Sequence, residues 1–124
     1  MKKILTLGVA LLVALACAFS LVACGGRHPA LTQQVYDRGQ SVAQATEQYL
    51  GGSMTAEQAR DIVAADFEAI TSAADSENEG DSLVVTYTNL IMTSLQLVVL
   101  GSDNMQNMLE QDLKTLKDVL NGRW

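Results

Sequence analysis

The sequence has few of the residues from which catalytic and metal centres are built. Its 124 residues include one histidine, His28, two cysteines and a single proline. Nucleophilic triads need a histidine that a packed scaffold holds in place, and His28 lies in a glycine-containing segment ahead of the first predicted helix. No nucleophile-elbow motif or glycine-rich phosphate loop occurs. We therefore expect a protein that is not an enzyme and that uses no cofactor.

Basic residues are also scarce. The two lysines near the N-terminus leave six basic residues against fourteen acidic ones after residue 23, a net charge of −8. Nucleic-acid binding needs clustered basic side chains that neutralise phosphates, so nucleic acid is excluded as a partner. The 101 residues that follow residue 23 suffice for one domain with one core.

The first 23 residues have the pattern of an export signal. Met1 is followed by Lys2 and Lys3, and an apolar run then extends from Ile4 to Ala23. A charged start followed by such a run is typical of a secretory signal peptide. A run of this length also approaches that of a membrane span, so an uncleaved membrane anchor is the alternative.

The end of the run, Leu21-Val22-Ala23-Cys24, resembles the lipobox of bacterial lipoproteins. The resemblance implies that Cys24 receives lipid, with fatty acids such as palmitate, and that residues 1–23 are removed. It also implies an extracytoplasmic protein held by lipid at the cell membrane or outer membrane. Two acyl chains suffice for stable anchoring. Since Cys17 would leave with the signal peptide, the mature chain would contain no disulfide.

Residues 24–30 are predicted to be a flexible tether, and residues 31–124 a helical domain. Four segments of this domain carry apolar residues at spacings of three and four, as amphipathic helices do. Glycines at 51–52, 101 and 122 mark the ends of the first, third and fourth segments. Thr55 and Gln58 form a capping-box pattern at the start of the second, and residues 102–104 supply a cap for the fourth. Because the links are short, we predict an all-α, up-down four-helix bundle.

The third segment, Leu83 to Leu100, is the most apolar, and three structures are considered for it. Residues 84–88 have strand propensity, and eighteen apolar residues approach a membrane span. A helix is favoured because its polar residues recur at spacings of three, four and three, on one face. We predict the most buried helix of the bundle, with a face open to solvent or lining a polar groove, formed by Thr86, Asn89, Thr93 and Gln96.

The acidic link between the second and third segments is a candidate metal site. Its acidic residues at the first, third and fifth positions, with glycine at the sixth, match the opening of an EF-hand loop. The match fails at the twelfth position, where Thr86 replaces the required glutamate. We expect a solvated turn in which Asp81 caps the third helix. The alternative is a weak divalent-cation site formed by Asp75, Glu77, Glu79 and Asp81.

Two other carboxylates and two methionines lie beside the predicted apolar faces. Asp66 and Asp112 are expected to reach solvent or to pair with Arg38, Arg60 or Lys117. The alternative is that both approach the bundle interior as a carboxylate pair with raised pKa values, a candidate acid/base site. Met105 and Met108 are expected to fill the core, although soft thioether sulfurs are also ligands for Cu(I).

These observations predict a lipid-anchored lipoprotein of the bacterial envelope. We expect a non-enzymatic helical module, binding or structural, that acts through a protein partner of unknown identity. The alternative is a lipoprotein that binds a small ligand or a divalent cation in the bundle interior or in the 75–81 loop.

Overall fold

The structure, a computed structural model, describes residues 29–124. Over that range the chain forms four helices and no strand, as predicted: α1 (Gln33–Leu50), α2 (Ala56–Ala73), α3 (Glu79–Val99) and α4 (Gln106–Leu120). Each helix packs on the next, and α4 closes against α1. The all-α four-helix bundle is confirmed. The predicted signal peptide, Cys24 and residues 25–28 of the predicted tether lie outside the described residues.

Three of the helices end in the same glycine motif. Gly52, Gly101 and Gly122 have positive φ angles of 83°, 108° and 77°, a conformation that favours glycine. After α3, Gly101 donates its N–H to the Val98 carbonyl, and the following residue donates to the Leu97 carbonyl. This Schellman pattern satisfies carbonyls that the helix end leaves unpaired. The helix ends predicted from glycine are confirmed.

The caps predicted for the second and fourth helices have different outcomes. At α2, Thr55 accepts a hydrogen bond from the Gln58 N–H, and the Gln58 side chain accepts one from the Thr55 N–H, both at 3.1 Å. The predicted capping box is therefore confirmed. The predicted cap for α4 is wrong, because Met105 is its N-cap and makes no side-chain bond. The Ser102 hydroxyl instead donates to the Asn104 side chain at 2.8 Å.

The core is formed where the apolar faces of the four helices meet. Gly39 lets α1 and α4 approach closely, since a Cβ atom there would lie 2.7 Å from a methyl group of Leu120. The predicted faces are buried in all four helices, with large, fully buried side chains that include Val35, Val42, Val63, Ile70, Val84, Ile91, Leu95, Leu109 and Leu116.

The antiparallel order gives the bundle two ends with different contents. We call the end that holds the start of α1, residues 74–78, the start of α3 and residues 121–124 the base. The opposite end, with residues 51–55 and 100–105, is the tip. Helices of 15 to 21 residues separate the two ends by about 22–32 Å, at 1.5 Å per residue.

Candidate functional site: the outer face of α3

Helix α3 begins four residues earlier than predicted. It starts at Glu79, and its N-cap is Asn78, whose side-chain oxygen accepts a 3.0 Å hydrogen bond from the Asp81 N–H. The prediction that Asp81 caps this helix is therefore wrong, because Asp81 lies in its first turn. Asn78 also donates from its side chain to the Ala30 carbonyl at 2.6 Å, which ties the incoming chain to the base.

Asp81 is fully buried, at 0% exposure, and joins α1 to α3. One carboxylate oxygen accepts the Thr32 N–H at 3.0 Å. The other oxygen accepts one hydrogen bond from the Thr32 hydroxyl and another, at 3.0 Å, from the Asp75 N–H. Thr32 is the N-cap of α1, so Asp81 supplies a negative group where that helix has its positive end. The expected solvated turn is wrong for this residue, because its bonding partner lies 49 residues away.

The other acidic residues of the 75–81 loop are exposed, as expected for a solvated turn. Asp75 accepts the Glu77 N–H at 3.0 Å, which is a local turn contact. Asp81 points inward to Thr32, whereas Asp75, Glu77 and Glu79 lie at the surface. Within residues 29–124, no group of three or more acidic or histidine side chains has the arrangement of a metal site.

Asp66 is the second buried carboxylate, at 3% exposure. Arg38 contacts one of its oxygens at 3.3 Å, as one of the predicted pairings, while the other oxygen has no hydrogen-bond partner. Burial raises the pKa of Asp66, and the neighbouring Ser41 hydroxyl and Arg38 guanidinium offset only part of this effect. Burial also raises the pKa of Asp112, which is partly exposed.

The predicted polar face of α3 is confirmed as solvent-exposed. Its two threonines, its asparagine and its glutamine all lie at the surface, and Arg60 of α2 donates to the Gln96 side chain at 3.1 Å. The prediction that α3 is the most buried helix is wrong. Its inner residues Ile91 and Leu95 are fully buried, but on the outside Leu90, Leu97 and Leu100 are 40%, 41% and 72% exposed.

This outer face differs from the exposed faces of the other helices in its charge. No charged residue occurs from residue 82 to residue 102. The other helices expose charged side chains, among them Glu47 on α1, Glu68 on α2 and Lys114 on α4. Depletion of charge is typical of the core of a protein–protein interface, and an exposed apolar patch is typical of an interaction site. We therefore identify the outer face of α3 as the candidate functional surface.

The exposed apolar surface continues beside the tip of the bundle. Met108, in the first turn of α4, is 48% exposed, so the predicted core role is wrong for it. Met105 is partly buried and packs against the core, as predicted. Leu97, Leu100 and Met108 thus all lie within about one helical turn of the tip.

By length and composition alone, α3 would also pass for a membrane-spanning helix. A helix of the same composition is equally found in the core of a soluble bundle, and α3 packs against both α2 and α4. No protein-family model, curated protein or solved structure matches the chain. The candidate surface therefore rests on the geometry and chemistry of this chain.

Proposed function

We propose that this protein is a lipid-anchored lipoprotein of the bacterial envelope and a non-enzymatic module that acts through a protein partner. The observation that carries the proposal is the lipobox-like sequence that ends at Cys24, five residues before Pro29. The uncharged outer face of α3 supports the binding role, because it has the composition of an interface.

The position of Cys24 relative to the body indicates which end of the bundle faces the membrane. The five peptide units from Cys24 to Pro29 span at most about 18 Å. Leu31 is buried, and the Ala30 carbonyl is held by Asn78, so the chain enters the body at the base. A lipid on Cys24 therefore keeps the base near the membrane.

The exposed leucines nearest the tip then lie on the side away from the bilayer. An upright bundle places the tip about 22–32 Å beyond the base, so Leu97, Leu100 and Met108 would be presented to the aqueous space. A protein partner in that space is the occupant that fits this arrangement.

The buried carboxylate of Asp81 has structural partners that suit a non-enzymatic role. Both oxygens of Asp81 accept hydrogen bonds from the start of α1 and from residue 75. A cation at the 75–81 loop would compete with these bonds. The proposal therefore assigns the loop to holding the base together.

The anchoring test follows incorporation of labelled palmitate into the full-length chain in a bacterial host. We expect the wild-type chain to be labelled, to lack residues 1–23 and to fractionate with membranes. Cys24→Ala should lose the label and retain the leader. Cys17→Ala is the matched control, because it removes the other cysteine and should keep the label. A labelled Cys24→Ala chain, or an intact Met1 in the membrane-bound wild type, would refute the anchor.

A further inference from the structure

The outer face of α3 contains a repeating pattern that points to a second helix lying along it. Six residues recur at spacings of three, four, three, four and three, and we call them the α3 seam: Leu83, Thr86, Leu90, Thr93, Leu97 and Leu100. The first of them, Leu83, is half-buried against the core, and the other five are exposed. A repeat of 3.5 residues is the spacing at which one helix packs along another in a coiled coil. The core-facing residues of α3, such as Ile91 and Leu95, lie outside this repeat and point the other way.

The two threonines of the α3 seam expose their methyl groups and act as apolar residues at this surface. The Thr86 hydroxyl donates to the Ser82 carbonyl and the Thr93 hydroxyl to the Asn89 carbonyl, each at 2.9 Å. Because each hydroxyl is bonded back to its own helix, the methyl group is what the side chain offers to a neighbour. The α3 seam therefore consists of four leucines and two methyl-bearing threonines over about 26 Å.

The chemistry of the α3 seam favours a second copy of this chain as its partner. The mature chain has a net charge of −8, so two copies repel each other over most surfaces. Two α3 seams can meet without opposing like charges, because neither contains a charged residue. A membrane surface fits less well, since helices that lie on anionic lipid carry Lys or Arg on their polar face, and the outer face of α3 has none.

The anchored end fixes the direction in which the two copies would pair. Two chains whose bases lie on one membrane stand side by side with their α3 helices parallel. In a parallel pair related by a two-fold axis, each seam residue faces its own counterpart. Anchoring also raises the effective concentration of the copies, which matters because one helical seam is smaller than a standard protein–protein interface.

We propose that the α3 seam packs against the α3 seam of a second copy, parallel and in register, on the membrane. This inference deepens the proposed function by naming the partner. The inference rests on the proposed function in one respect, namely that the base is held at the membrane. An uncleaved leader would hold the base there as well.

Disulfide cross-linking in membranes tests the pairing, since a lipidated chain has no other thiol. The full-length Thr86→Cys and Thr93→Cys variants are oxidised in envelope membranes, and the products are resolved without reductant. We expect a disulfide-linked species of twice the chain mass from both variants. Thr71→Cys is the matched control, because Thr71 is exposed on α2 and bonds back to the Phe67 carbonyl in the same way. The Thr71→Cys variant should give no more disulfide-linked dimer than the wild-type chain.

Each outcome of the cross-linking decides the proposal. A dimer from one seam variant alone would indicate antiparallel pairing and contradict the parallel arrangement. No dimer from either variant, or a cross-link to a chain of different mass, would overturn pairing with a second copy. Palmitate label measured in the same membranes separates the two proposals. A labelled chain without dimer refutes only the pairing, whereas an unlabelled chain with dimer refutes only the lipid anchor.

Discussion

The inner and outer faces of α3 contain the same kinds of residues in opposite environments. Leu95 and Leu97 are two positions apart, yet the first is fully buried and the second is 41% exposed. Buried leucines here contact side chains from neighbouring helices, whereas none of the four helices within residues 29–124 lies outside the outer ones. Apolar content therefore predicts burial only where the fold supplies a neighbour. We infer that the inner face stabilises the fold and the outer face serves binding.

The largest expected difference between the two faces is in stability. Leu95→Ala should lower the free energy of unfolding of the body, residues 29–124, by about 2–5 kcal/mol, because it leaves a cavity in a packed core. Leu97→Ala removes the same atoms from an exposed site and should cost under about 1 kcal/mol. Denaturant unfolding of both variants measures the contrast. Equal losses would show that the outer face also contributes to the core.

Substitution of Asp81 tests whether the stability of the body depends on the polar contacts of this carboxylate at the start of α3. Asp81→Asn replaces one accepting oxygen by an NH₂ group, which then faces the Thr32 N–H at one position or the Asp75 N–H at the other. Leaving a buried donor unsatisfied should cost about 1–3 kcal/mol of unfolding free energy. Glu77→Gln, at an exposed position of the same loop, should change it by less than about 0.5 kcal/mol. Similar values for the two variants would contradict the role assigned to Asp81.

A substitution at Thr88, on the inner face of α3, should have a smaller effect of the opposite sign, namely an increase in stability. Its hydroxyl is buried without a hydrogen-bond partner, unlike the buried Thr46 hydroxyl, which donates to the Val42 carbonyl at 2.8 Å. Thr88→Val keeps the shape and removes the unsatisfied group, so it should raise the unfolding free energy by about 1 kcal/mol. Thr46→Val should be neutral or destabilising. A loss of stability in Thr88→Val would mean that its hydroxyl is bonded.

Asp66 should make the stability of the core depend on pH. The outer face of α3 contains no titratable group and should add no such dependence. Burial raises the pKa of Asp66 in the folded state, so the folded chain binds this proton more tightly than the unfolded chain. The cost of burying its charge is present above the folded pKa and declines as the pH falls towards the unfolded value of about 4. We therefore expect the wild type to gain stability relative to Asp66→Asn between pH 7 and pH 4. Unfolding measured across that range checks this, and a constant difference would contradict it.

The parts of the fold that could be predicted from sequence depend on local signals. The capping box of Thr55 and Gln58 involves residues three apart, and the glycine helix ends involve the last turn of each helix. The core faces follow from apolar periodicity, which a single segment displays. These features do not require knowledge of the neighbouring helices.

The features that sequence analysis missed depend on contacts between distant segments. Asp81 reads as one more acidic residue of a polar loop, because the Thr32 groups that bind it lie 49 residues away. The exposed leucines of α3 contradict the prediction that it is the most buried helix, since a helix that is apolar on most sides does not reveal which side meets its neighbours. The sequence signal that could have identified the outer face is the 3.5-residue repeat from Leu83 to Leu100. This repeat does not include the core-facing residues Ile91 and Leu95.

The most direct test of the division between the two faces combines cross-linking and stability in one pair of variants. Leu97→Asp in the Thr93→Cys chain places a charge in the α3 seam, and Gln111→Asp places one at an exposed site on α4. Because a charge buried without a partner is costly, Leu97→Asp should abolish the disulfide-linked dimer, and Gln111→Asp should preserve it. Leu97→Asp should cost about 1–2 kcal/mol, because an acidic residue is unfavourable in the last turn of α3, and Gln111→Asp should cost no more than about 0.5 kcal/mol. A dimer that survives Leu97→Asp, or a body that Leu97→Asp unfolds, would contradict the account.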